Sequence, residues 1–221
     1  MIILTGSASG PKRRELFAQM PRNFGSGCMY GPASFCPPWT NWWALDNDAW
    51  SHRNDLEWWD REGETAWLKM LDKAAPFVCR GEPIFAVLPD VVGDWDRTLE
   101  RAHFYRQELR DRKITAAVAL QNGCDDEEEY QNVLRLDCPA VFVGGTTRWK
   151  WLNVEPLRRR FEDKHLHVGR VNGPCQIREC IRVGVDSVDG TGWSRFSRKM
   201  LPPLLAALNG TYKAETGRLE I

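Results

Sequence analysis

Residues 166–189 read LHVGRVNGPCQIRECIRVGVDSVD, and this stretch contains one full repeat of the fold. Leu166–Val168 is a short apolar run that stops at Gly169-Arg170. Pro174 then suits the first turn of a helix, and Gly184 follows the last periodic residue as a C-terminal cap would. A second β-branched run, Val185–Val188, ends on Asp189. Strand, helix and strand in this order, with short connections, predict a parallel βαβ unit.

The pattern extends along the chain. Apolar runs predict further strands at Ile2–Thr5, Trp42–Leu45, Pro83–Leu88, Ala116–Leu120 and Ala140–Val143. Amphipathic segments predict helices at Glu62–Ala75, Trp95–Arg112, Asp125–Leu134, Trp151–Lys164, Pro174–Val183 and Arg198–Leu208. Such alternation leaves a closed (β/α)8 barrel or an open doubly wound sheet. The turn after the first strand, Thr5 to Lys12, has neither the G-x-G-x-x-G spacing nor the G-K-[ST] ending of a phosphate loop, which favours a compact α/β barrel of the (β/α)8 TIM type. Seven strands are legible, so the eighth lies within the Gly- and Pro-rich stretch from Gly6 to Thr40 or the barrel is irregular.

With 221 residues, 43% of them hydrophobic, and no linker-like tract, the chain is expected to form one domain over 1–221. No apolar run approaches the roughly 20 residues that span a bilayer, so a soluble, cytoplasmic protein with no membrane partner is expected. The seven cysteines are scattered without a C-x-x-C pair, which gives little support to disulfides or a zinc site. His165 and His167 lie on one face of a strand, read as a strand end with one exposed imidazole; no metal and no cofactor is expected. Net charge is zero but segregated: +3 over residues 1–45, −9 over 46–129 and +6 over 130–221, so a polyanion would meet the C-terminal third first. Arginine outnumbers lysine 22 to eight, and its planar fork suits phosphate and guanine edges.

The strand ends carry the chemistry. In chain order the runs stop at Asp46, Asp90, Gln121, Gly144-Gly145, Gly169-Arg170 and Asp189. One such Asp is an ordinary turn residue, but barrel active sites are assembled from these ends, and six would converge on one mouth. A guanine-like base fits the set. A carboxylate at Asp90 accepts from its N–H groups, while Gln121 and the Gly144-Gly145 turn donate to its O6 and N7. Asp46 and Asp189 remain for a double displacement at an anomeric carbon.

This ordered set resembles the tRNA-guanine transglycosylase superfamily, and more closely its phage and bacterial members that insert 7-deazaguanines into DNA, the DpdA-like branch. The carrying residues are Gly184-Val185-Asp186-Ser187-Val188-Asp189, Asp46-Asn47, Asp90, Leu120-Gln121-Asn122-Gly123 and Gly144-Gly145, between Trp42 and Arg198. The resemblance implies a (β/α) barrel that exchanges guanine for a 7-deazaguanine base through a covalent intermediate, in a bacterium or a phage-infected cell. Asp189 would be the nucleophile and Asp46 the acid/base. Asp90, Gln121, Gly144, Gly145 and Gly169 would hold the base.

Arg195 and Arg198, six and nine residues beyond Asp189, match nucleic-acid contacts of the family. Arg170 and the cation–aromatic run Arg148-Trp149-Lys150-Trp151 are further candidates for holding phosphates. In place of the DSGGF-like glycine pair stand Asp48-Ala49, and no cysteine follows Cys180 where the tRNA enzymes carry a zinc motif. A minimal barrel without the zinc subdomain is therefore expected, with DNA preferred over tRNA as partner. A non-catalytic nucleic-acid-binding subunit and a nucleoside or glycoside hydrolase remain alternatives.

Overall fold

Leu4 pairs with Asp189, and this register closes the sheet. In the computed structural model, eight parallel strands run in sequence order around a closed barrel. They are β1 (Ile2–Gly6), β2 (Gly25–Tyr30), β3 (Trp42–Leu45), β4 (Ala86–Val87), β5 (Ala116–Leu120), β6 (Ala140–Val143), β7 (His165–Val168) and β8 (Ser187–Asp189). The structure describes residues 1–6, 14, 17–78, 83–190, 192 and 197–213, with only the backbone of Ser197 and Arg198. The barrel is the expected (β/α)8 fold, with its eighth strand in the Gly6–Thr40 region.

Among the described residues six α-helices clothe the barrel: α1 (Glu64–Val78), entered through a π-helical turn at Trp59–Gly63, α2 (Trp95–Asp111), α3 (Glu127–Arg135), α4 (Thr147–Arg160), α5 (Pro174–Val183) and α6 (Ser197–Leu208). Their starts follow capping chemistry. Asp94 accepts from Arg97 N and Asp126 from Glu129 N, each filling a helix-terminal donor. Pro174 opens α5, and Gly184 ends it in the left-handed region at φ 80°. Among the described residues no helix is long and apolar enough to cross a membrane.

Most boundaries shift by one to four residues from expectation, and three of the shifts bear on the site. Helix α4 begins at Thr147 rather than Trp151, because Thr146 caps it through Trp149 N and the run 148–151 forms its first turn. Strand β8 starts at Ser187 rather than Val185, since Val185 N still bonds Cys180 O of the helix end; the strand includes Asp189. Strand β4 shrinks to two residues.

Alternation along the strands divides the apolar core in two. Ile3, Trp43, Leu45, Val118, Val141, Leu166 and Val188 face the helices. Leu4, Met29, Ala44, Phe85, Val87, Ala117, Ala119 and Ala140 fill the barrel interior. The interior residues of β3, β5 and β6 are mostly alanines, which leaves room for Phe85, Phe142 and two imidazoles from β7. On the β7–β8 side the inward positions are polar: His165 and His167 beside Ser187 and Asp189.

Candidate active site

Six strand ends feed one cavity at the C-terminal mouth of the barrel. It takes in about 420 Å3, open space at its mouth included, and is lined by Asp46, Asn47, Trp50, Asp90, Gln121, Gly144, Gly145, Arg170 and Asp189, with Val87, Val92 and Phe142 as apolar wall. Of the residues expected to hold a base or react, all line this cavity except Gly169.

A buried amide–carboxylate network forms one side. Asn47 Nδ2 donates to Asp90 Oδ1 at 2.7 Å and Gln121 Nε2 donates to Asp90 Oδ2 at 2.5 Å. Gln121 Oε1 accepts from Gly93 N and Gly145 N, both at 2.9 Å, which fixes the amide's orientation. Each Asp90 oxygen keeps a second lone pair for an incoming N–H group. Burial pushes the Asp90 carboxyl up to about 6, opposed by the bonds from Asn47 and Gln121 and by Arg101, so it is ionised at neutral pH.

The glycines act through shape rather than as free donors. Gly144 N donates to Leu120 O at 3.0 Å and Gly145 N is committed to Gln121, so neither amide is spare for O6 or N7. Gly145 has φ +66°, and a Cβ there would lie 2.6 Å from the Trp149 ring. At Gly169 a Cβ would meet the Phe142 ring at 2.5 Å; its N–H bonds Val143 O and its carbonyl accepts from Lys150 Nζ. Gly169 therefore supports the wall of the cavity from behind.

The two candidate catalytic carboxylates have different surroundings. Asp46 Oδ1 accepts from Asn47 N at 2.8 Å, but burial, then the charges of Asp48, Asp189 and Asp90, push its carboxyl up to about 8. It holds a proton at neutral pH. Asp189 Oδ1 accepts from His167 Nε2 at 3.0 Å and from Arg170 N at 3.1 Å. Its Oδ2 accepts no hydrogen bond among the described residues, and the side chain is 18% exposed. The Asp46 and Asp189 carboxyls thus face one space.

Arg170 and Trp50 lie across the mouth. The Arg170 backbone sits in the left-handed region at φ 57°; its guanidinium donates to Gly145 O and stacks 3.5 Å from the Trp50 ring centroid. Arg53 lies 4.4 Å from the same indole, which is 40% exposed. Arg170 is part of the cavity wall rather than a free surface cation.

The expectation for Lys150 is corrected. Its side chain is 1% exposed, and its ammonium bonds the carbonyl of Gly169; burial and the Arg170 charge lower it to about 8, with Asp189 opposing. The helix that begins four residues earlier than expected turns Lys150 inward, out of reach of a phosphate backbone. Arg148 on the same turn is exposed. Arg195 lies outside the described residues, as does the Arg198 side chain.

Four contributors are absent from the expected set: Asn47, Trp50, His167 and Ser187. His165 opens β7 partly exposed, as a strand end, but His167 does not reach solvent. His167 is fully buried, stacked on Phe142 and edge-on to Phe85, and Ser187 Oγ lies 2.8 Å from His167 Nδ1 and 2.7 Å from His165 Nε2. Strand parity carries the missed signal, because His165 and His167 on one strand and Ser187 and Asp189 on the next share the inward face. Among the described residues no group of three or more His, Cys, Asp or Glu side chains is arranged to hold a metal ion. Compared with protein-family models and with the curated proteins, the chain matches none.

Proposed function

We propose that this chain is a base-exchange enzyme that replaces guanine in DNA with a 7-deazaguanine base, through a covalent glycosyl-enzyme. The observation that carries the reading is the convergence of Asp46, Asp90, Gln121 and Asp189 on one cavity, with Asp46 protonated and Asp189 Oδ2 accepting no hydrogen bond among the described residues.

In the first half-reaction, Oδ2 of Asp189 attacks C1′ and the bond from C1′ to the guanine nitrogen breaks. The electron pair leaves with guanine, which takes the Asp46 proton. In the second, a 7-deazaguanine gives a proton back to Asp46, and its nitrogen displaces Asp189 from C1′. Two inversions retain the configuration at the sugar. Asp90 accepts from the N–H edge of the base, Gln121 keeps Asp90 in place, and a flipped nucleotide that displaces Arg53 from the Trp50 indole would stack on it. Arg148, Arg195 and Arg198 are the proposed phosphate contacts. The choice of DNA over tRNA follows the resemblance to the DNA-modifying branch of the superfamily.

The test is parallel incubation of duplex DNA and tRNA, each carrying labelled guanine, with a free 7-deazaguanine base. Release of label from DNA, with a denaturation-resistant adduct formed by the wild type and not by Asp189→Ala, is the expected result. Release from tRNA alone would remove DNA as substrate. Nucleic-acid binding with neither release nor adduct would indicate a non-catalytic subunit, and abasic product would indicate a hydrolase.

A further inference from the structure

We infer that His167 and Ser187 are positioning residues for Asp189: together they select one imidazole tautomer, tie down Oδ1 and leave Oδ2 as the attacking oxygen. The inference rests on the transglycosylase reading of Asp189.

The donors and acceptors can be assigned in sequence. An ionised carboxylate only accepts, so the 3.0 Å contact from His167 Nε2 to Asp189 Oδ1 requires the proton on Nε2. A neutral imidazole has one N–H, so Nδ1 is left as an acceptor. The 2.8 Å contact between Nδ1 and Ser187 Oγ is then filled by the serine O–H. That hydroxyl has a single proton, and with it committed to His167, the 2.7 Å contact to His165 must be donated by His165 Nε2. Three consecutive bonds acquire one direction, from His165 to Ser187 to His167 to Asp189.

The geometry resembles a serine hydrolase triad with its roles exchanged. Ser187 is fully buried within the barrel and cannot meet a substrate, whereas Asp189 stands at the cavity. The reactive end is therefore the carboxylate, and serine sets the tautomer. Two donors, His167 Nε2–H and Arg170 N–H, fall on the same oxygen and resist rotation of the carboxylate. The Phe85 and Phe142 rings hold the imidazole plane. Fixing a nucleophile in this way acts on the rate of the chemical step rather than on binding.

Two measurements on the full chain decide the matter. In 15N-labelled wild type near neutral pH, the His167 ring nitrogens are expected to report an Nε2–H tautomer with a bare Nδ1. An imidazolium or the Nδ1–H tautomer would overturn the assignment whatever reaction the protein performs. In single-turnover adduct formation on guanine-containing DNA, His167→Phe is expected to slow the step by about 100-fold, with DNA affinity unchanged. Ser187→Ala should slow it roughly tenfold, and His167→Gln, which keeps an N–H donor, should recover part of the loss. Ser187→Ala deletes only a hydroxyl, so it carries the test if His167→Phe does not fold. Wild-type rates in both Ser187→Ala and His167→Gln, from an active wild type, would sink the positioning role alone. A wild type that forms no adduct with any guanine-containing nucleic acid removes Asp189 as nucleophile and the inference with it.

Discussion

Gln121 hands its amide N–H to Asp90 and its amide oxygen to two backbone N–H groups, so Asp90 is held by a donor that can adopt no other orientation. Gln121→Glu would set a second carboxylate against Asp90 in a buried site. Like charges there raise the shared pKa values, and stability is lost as pH rises through them. The expected cost at neutral pH is about 2–3 kcal/mol, recovered towards pH 5, by denaturant unfolding at several pH values. Adding Asp90→Asn should restore the pairing and the stability, since an Asn amide donates where Gln121 did. Base exchange should stay lost, because the polarity offered to the base is reversed. A double variant no more stable than Gln121→Glu alone would show that the network contributes little.

Asp46 gives the pH dependence its sign. Its carboxyl is raised from 3.8 to about 8, so between those values the native state binds a proton that the unfolded chain has released. Stability therefore falls as pH rises across that window, with the full penalty present above about 8. Asp46→Asn keeps an oxygen for Asn47 N and removes the charge. It should stabilise the protein by on the order of 2 kcal/mol at about pH 9 and by little at about pH 4, while abolishing exchange. Thermal melts of the two proteins at both pH values check this, and equal gains at both would contradict it.

Lys150 and Arg148 separate the interior from the surface. Lys150 is buried against Gly169, and Arg148 is exposed on the same turn. Arg148→Ala should reduce the slope of log affinity for DNA against log salt by about 0.9, the share of one phosphate contact. Lys150→Met should leave that slope unchanged, because its charge never meets the backbone. A salt-titrated binding isotherm for each variant distinguishes them.

These contrasts show where the sequence is readable. Strand ends are legible because apolar runs stop at Asp46, Asp90, Gln121 and Asp189, and a barrel brings such ends together. Strand β2 is obscured by Gly25 and Gly27, which weaken its pattern for a packing reason: a Cβ at Gly27 would fall 2.0 Å from the Trp42 carbonyl oxygen. The inward turn of Lys150 depends on a helix start set by the Thr146 cap, two residues before the cation–aromatic run. Hydrogen-bond commitments, such as Gly145 N to Gln121, join strands 24 residues apart and leave no local trace. Ser187 and His167 were readable only as parity, since nothing in either strand alone announces the partner.

Trp50 offers the last separation, between holding a substrate and holding the fold. The indole is 40% exposed, with Arg170 and Arg53 against it, and it borders the cavity containing Asp46 and Asp189. Side chains this exposed contribute little to stability, whereas stacking on a nucleobase is worth about 1–3 kcal/mol. Trp50→Ala should therefore weaken DNA binding by roughly 10–100-fold with a nearly unchanged melting temperature. Trp50→Phe, which keeps an aromatic face, should recover most of the affinity. A melting temperature that falls in step with affinity in Trp50→Ala would instead make the indole a structural clamp for Arg170, whose release would then account for the weaker binding.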